Sequence, residues 1–127
     1  MRERNPWPRP PLSLPHGRLN EPPQGARVCV AGLVMVRQRP GTAKGVIFLT
    51  LEDETGISNI VVWKNVYQRF RRAVVAGRLL RVTGTIQRDG KVVHVVAQQV
   101  EDISYMLDQL VDPHHADATQ SAQNRAG

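Results

Sequence analysis

The chain has 127 residues, with 17 Lys/Arg against 11 Asp/Glu, a net charge of +6 and a pI near 10.4. That length holds one small domain plus tails. No apolar stretch approaches the ~20 residues of a membrane span, and the basic N-terminus MRERNPWPRPPLSLP lacks the apolar core of a secretory signal, so a cytoplasmic protein with no membrane partner is expected.

The charge is unevenly spread. Residues 27–103 hold 12 Lys/Arg against 6 Asp/Glu, residues 1–26 hold 4 against 2, and residues 104–127 hold 1 against 3. The tails cancel, and the whole excess falls on the central segment. Clustered basic charge at this pI points to a nucleic-acid partner; the plain alternative is charge that only keeps the protein soluble. The single cysteine, Cys29, has no intrachain partner. Within VCVAGLVMV it reads as a small buried hydrophobe.

Residues 1–26 contain seven of the nine prolines. Proline lacks the backbone donor that helices and inner strands need, so this segment reads as an extended, poorly ordered arm. Trp7 is its one possible surface anchor. Residues 27–37 are apolar on both parities, with Gly32 inside them, which predicts a long, curved first strand serving two edges of a closed sheet. QRPGTAKG, residues 38–45, is a loop.

Strands follow at 46–52 and 57–63, joined by the turn Asp53-Glu54-Thr55-Gly56. Ile47, Leu49 and Leu51 share one face, and Val46, Phe48 and Thr50 the other. Beyond the turn, Ile60 and Val62 alternate with Asn59, Val61 and Trp63. Residues 65–76 change period: Val66, Phe70, Ala73 and Val74 fall on one helical face, with Asn65 as N-cap and Gly77 just past the end. Further strands are predicted at 78–87 and 91–100, around the hairpin turn Arg88-Asp89-Gly90, and a short helix near 101–111. The polar stretch 112–127 reads as a disordered tail.

The order β-β-β-α-β-β within about eighty residues matches the OB fold, an all-β, five-stranded Greek-key barrel that binds oligonucleotides on the face of strands two and three. The helix between strands three and four is expected to plug the barrel bottom, and it argues against an SH3-like barrel. The expected domains are an arm at 1–26, an OB domain at 27–103, and a short helix with a disordered tail at 104–127.

Phe48 faces out in the phase that buries its neighbours, as a base-stacking platform or packed under a loop. Asn59 and Thr50 share its face and offer hydrogen bonds to base edges, or are simply solvated. Arg37, Arg39 and Lys44 cluster around the first loop, placed to neutralise phosphates. Arg78, Arg81, Arg88 and Lys91 lie on strands four and five; Arg81 has the outward phase and Arg88 and Lys91 flank the last hairpin, so some of the four are expected to extend the basic track. His94 faces outward, to stack on a base or as a polar outer residue. Trp63 reads as a packing residue at its strand end. The helix arginines Arg69, Arg71 and Arg72 lie away from the groove, facing a protein partner or solvent.

No catalytic chemistry is legible. Glu52, Asp53 and Glu54 lie on one tight turn and diverge, so they read as a turn organised by Asp53 rather than a metal site. GTAKG lacks P-loop spacing. His114 and His115 have no second ligand pair. No cofactor, metal or small-molecule substrate is expected.

The stretch VCVAGLVMVRQRPGTAKGVIFLTLEDETGISNIVVWKNVYQRFRRAV, continued by LLRVTGTIQRDGKVVHVVA and VEDIS, resembles the C-terminal OB domain of bacterial C-family DNA polymerase large subunits. Within that family, VAGLVMVRQRPGTAKGVIFLTLEDETG looks most like the error-prone, damage-tolerant branch, with RQRPGTAKG its more specific part. The pattern F-x-x-L-x-D-x-x-G is shared more widely, including with anticodon-binding domains of class II tRNA synthetases. The resemblance covers residues 27–105. It implies contact with single-stranded DNA through Phe48, Asn59, Arg37, Arg39 and Lys44, in translesion synthesis. The family's palm with its catalytic aspartates, fingers, thumb and histidinol-phosphatase-like domain have no counterpart in these residues, and residues 1–26 show no convincing clamp-binding peptide. The chain therefore reads as a stand-alone remnant or a fragment, not an enzyme on its own. Its expected role is single-stranded DNA binding in replication or repair. The alternatives are an OB module docking a polymerase or repair protein, or a polymerase piece active only with its missing part.

Overall fold

The computed structural model describes residues 7–39 and 45–107. Five strands form a closed barrel: β1 (Arg27–Gln38), β2 (Ile47–Asp53), β3 (Gly56–Val62), β4 (Leu79–Asp89) and β5 (Val92–Asp102). Their order around the barrel is β1-β2-β3-β5-β4. β1 pairs with β4 through its first half and with β2 through its second, so the expected long strand serving two edges is present. β3 and β5 close the barrel as its parallel pair, through Asn59–His94, Ile60–Val95 and Val61–Val96.

Alternation explains the core. Leu49, Leu51, Ile60, Val62, Leu80, Val82, Ile86 and Val95 point inward and are fully buried. Gly32 sits where β1 passes from pairing with β4 to pairing with β2. A Cβ there would lie 2.7 Å from the Glu52 carbonyl oxygen and 2.9 Å from His16 Cε1, so only glycine admits β2 and the N-terminal segment together. The register slip itself comes at Met35, between Val34 and Val36. One extra residue there reverses the alternation of the rest of β1.

The helix between β3 and β4 is bent, not continuous. α1 (Lys64–Arg69) and α2 (Arg71–Ala76) meet at Phe70, whose φ of −120° and ψ of 34° leave the helical region. Trp63, not Asn65, holds the N-cap position, without a side-chain cap. Gly77 ends α2 in an extended conformation. Val66 and Val74 are buried in the core cluster with Phe70 packed against it, as the helical face predicts.

The arm differs from expectation. Within residues 7–26, Leu14 and Leu19 are buried in the core, His16 and Pro22 are buried, and His16–Arg18 forms a short 3-10 helix. The Leu14 amide donates to the Cys29 carbonyl at 2.6 Å. Burying a leucine is worth about 1.5–3 kcal/mol, enough to hold a segment whose prolines already limit its freedom. Trp7 packs against the core cluster, with the Arg9 guanidinium 4.6 Å from its ring centre.

Cys29 is buried as expected. The region expected as a helix near 101–111 begins later: Glu101 and Asp102 still belong to β5, and helical backbone starts at Tyr105. The predicted tail at 112–127 lies outside the described residues, as do His114 and His115. Among the described residues, no helix is long and apolar enough to cross a membrane.

Candidate nucleic-acid interface

Two cross-strand rows build the outer face of β2, β3 and β5. One row runs Val36, Thr50, Asn59, His94, Gln87, each residue the register partner of the next. Another runs Gln38, Phe48, Val61, Val96, Thr85. Between them lies the buried row Leu49, Ile60, Val95, Ile86. The pleat therefore turns both flanking rows outward. The first offers hydroxyl, amide and imidazole groups side by side. The second offers an aromatic beside two valines.

His94 and Gln87 of the first row and Phe48, Val61 and Val96 of the second line a cleft of about 700 Å³, together with Val46, Trp63, Arg88 and Asp89. Phe48 is half-buried on this floor, with one strand's side chains on each flank. Trp63 lies at the end of β3 and is 51% exposed. It lines the cleft and so is a second aromatic surface, not the corner packing residue the sequence suggested. Its shared parity with Asn59 and Val61 carried that signal. The β4–β5 hairpin tip forms the far rim. Gly90, at φ 66°, makes the tight turn that brings Arg88 and Asp89 to it.

Of the expected site residues, Phe48, Thr50, Asn59 and His94 come together on this face. Arg39 stands at the end of β1, where its guanidinium donates to the Tyr67 hydroxyl at 2.9 Å. Lys44 lies outside the described residues. Two arginines are elsewhere. Arg37 falls in the inward row with Leu49, because the Met35 bulge has reversed the alternation. Its Nε donates to the Val74 carbonyl at 2.7 Å, and its Nη2 donates to the Gly77 carbonyl. Arg81 sits between Ala31 and Glu101 on the opposite side of the barrel. Its guanidinium makes two hydrogen bonds to the Glu101 carboxylate, at 2.8 and 3.2 Å.

Arg88 is expected from the sequence to flank the turn, in the group that extends the basic track. It also ties the arm to the cleft rim: its side chain donates to the Pro22 and Asn20 carbonyls, and its amide donates to Gln24 Oε1 at 2.8 Å. At the other end of the barrel, Asp53 organises the β2–β3 turn as predicted. Its Oδ1 accepts from the Thr55 amide and hydroxyl, both at 2.7 Å, and from the Gly56 amide at 3.0 Å. Its Oδ2 accepts from the His16 amide at 3.0 Å. Partial burial would raise the Asp53 pKa, but these hydrogen bonds outweigh it and hold the carboxyl below its ordinary value. Among the described residues, no cluster of His, Cys, Asp or Glu is arranged to hold a metal ion.

A closed five-stranded barrel with a helix between β3 and β4, and a cleft floored by β2 and β3, has the architecture of an oligonucleotide-binding barrel. The family model that matches is the OB-fold nucleic acid binding domain of the tRNA anti-codon type, over residues 28–103. The chain belongs to this OB-fold family. Among curated relatives, the OB domain is 67% identical over 87 residues to an error-prone DNA polymerase of Ruegeria pomeroyi, covering 68% of this chain and 8% of the relative. It is 49% identical over 114 residues to an error-prone DNA polymerase of Caulobacter vibrioides, covering 90% of this chain and 10% of the relative. Among solved structures, the asparaginyl-tRNA synthetase of Pyrococcus horikoshii matches with a TM-score of 0.54 and 33% identity, over 63% of this chain and 20% of that one. The chain thus spans about a tenth or less of the length of these polymerases. The resemblance to the OB part of error-prone polymerases holds.

Proposed function

We propose that the OB domain binds single-stranded DNA in the Phe48–Trp63–His94 cleft, without catalysis of its own. In this reading it is the strand-holding part of an error-prone polymerase system, acting in the cytoplasm in replication or translesion repair. One observation carries it. Two accessible aromatics stand on an apolar floor, and the hydrogen-bonding row Thr50, Asn59, His94 runs alongside. Stacking on an aromatic is worth about 1–3 kcal/mol per base, and every base has a face to stack. The hydroxyl, amide and imidazole then meet base edges, while Arg39 and the basic surface meet phosphates.

Titration of the full chain with a labelled single strand at several salt concentrations tests this, with Phe48→Ala in parallel. Salt-sensitive binding, weakened by about 1–3 kcal/mol in the variant, supports base stacking. A wild-type chain that fails to bind at low salt sinks the reading. RNA of the same sequence as competitor reports the sugar preference.

A second reading, docking of a polymerase or repair protein, has its own observation. Leu33 and Ile57 are exposed on either side of Glu52, at the β2–β3 end of the barrel and away from the cleft. On that reading, Leu33→Lys with Ile57→Lys abolishes capture of a repair polymerase and leaves strand affinity intact.

A further inference from the structure

The loop between β1 and β2 has both of its described ends resting on α1. At the departing end, the Arg39 guanidinium lies 5.3 Å from the Tyr67 ring centre and bonds its hydroxyl. At the returning end, Gly45 lies against Lys64. A Cβ on Gly45 would sit 2.8 Å from Lys64 Cβ. A further cation, Arg71, stands 5.7 Å from the centre of the same Tyr67 ring. Arg69 and Arg72 continue the exposed basic surface.

None of these five cations takes part in an ion pair among the described residues, where the lysine and arginine pairs are Arg18–Glu21 and Arg81–Glu101. Arg39 and Arg71 thus stand over one tyrosine, and Lys64 begins the same helix three residues before it, with no carboxylate paired to any of the three. Like charges held so close repel one another, and an anion between them relieves that repulsion. The patch also has a direction. Lys64 directly follows Trp63, so α1 begins where the cleft ends.

We infer that α1 carries a second contact track for the DNA strand held in the cleft: past Trp63 the backbone continues over Lys64, Arg39 and Arg71, which take its phosphates. The inference rests on the cleft reading and extends it beyond the stacked bases. Tyr67 acts here as a positioning residue that holds two guanidinium groups in place.

Strand length separates the two contacts. The full chain is titrated with oligothymidylates of about 8 and about 20 nucleotides, within and beyond the reach of a small OB site. Wild type is compared with Lys64→Gln/Arg71→Gln and with Phe48→Ala. The double variant should keep its affinity for the short strand, which also verifies its folding. It should lose affinity for the long strand by about fivefold per contact at ~0.1 M salt, with the salt slope falling by about 0.7 per phosphate released. Phe48→Ala should weaken both strands alike. Three results overturn the second track while leaving the cleft standing. They are unchanged long-strand affinity and slope in the double variant, an equal loss on both lengths, or wild type binding both lengths equally. Failure of wild type to bind either strand overturns the cleft reading and the track together.

Discussion

Arg37 donates to the carbonyl of Gly77, a residue forty positions along the chain. The contact joins the end of β1 to the end of α2, and a companion bond from Arg37 to the Val74 carbonyl lies beside it. Carbonyls at a helix C-terminus lack intrahelical donors, and a guanidinium presents several in a fixed fork. Arg37→Ala should therefore destabilise the barrel by about 1–3 kcal/mol and leave single-strand affinity nearly unchanged. Paired denaturation and binding curves check this. A variant of normal stability with weakened DNA binding would return Arg37 to the interface.

Trp63 should show the opposite behaviour. It is half-exposed on the cleft, so Trp63→Ala removes little buried contact. Its cost in stability should stay under about 1 kcal/mol, since surface substitutions disturb packing little. Its cost in strand affinity should be about 1–3 kcal/mol. Quenching of tryptophan fluorescence by oligothymidylate, absent from the variant, gives an independent readout.

Gly32→Ala tests the crowded point where β1 changes partners. The new methyl meets the Glu52 carbonyl at 2.7 Å and the His16 ring at 2.9 Å. Backbone cannot yield as a flexible side chain does, so a loss of about 1–3 kcal/mol is expected from overpacking. The 3-10 helix of the arm should become more open to proteolysis in the same variant. Wild-type stability would show that the strands part at no cost.

The arm makes the protein sensitive to mild acid. His16 is 4% exposed. Its Nδ1 faces the Gly56 carbonyl at 3.2 Å, and its Nε2 faces the Ser58 hydroxyl at 3.5 Å. Burial pushes its pKa below 6.5, more than the neighbouring Asp53 carboxylate and the backbone hydrogen bonds raise it. The unfolded chain then binds a proton more readily than the folded one. The His16 contribution is complete above 6.5 and declines as pH falls below that value. Asp53 adds a separate loss at lower pH, below 3.8, because its folded pKa is also depressed. Melting curves of wild type should fall through the His16 window, and those of His16→Gln should be flatter there. Parallel curves for the two proteins would remove His16 as the source.

What the sequence disclosed follows from local periodicity. Strand parity at 46–52 and 57–63 identified the core face and put Phe48, Thr50, Asn59 and Trp63 on the other. The Asp53 turn and the Asp89-Gly90 hairpin were legible because each depends on residues next to one another. Three features depend on distant partners and were not. Prolines around Leu14 and Leu19 read as disorder until the barrel supplies a surface for those leucines. The Met35 bulge exists only in the pairing of β1 with β2, yet it decides that Val36 faces the cleft row and Arg37 the barrel end. The break at Phe70 separates two short helices that each pack on β5, an arrangement that helical period alone does not reveal.

The β3–β5 junction has a consequence of its own. It is the barrel's seam, and its register pairs Asn59 with His94 and Val61 with Val96; Val61, His94 and Val96 also line the cleft. On the proposed function, a nucleotide seated in the cleft spans the seam and touches both sides of it. Ligand and seam then act as one latch: opening the barrel at this junction means letting go of the strand. The strand pair with the fewest register partners in the barrel is, on that reading, the one that a bound strand keeps shut.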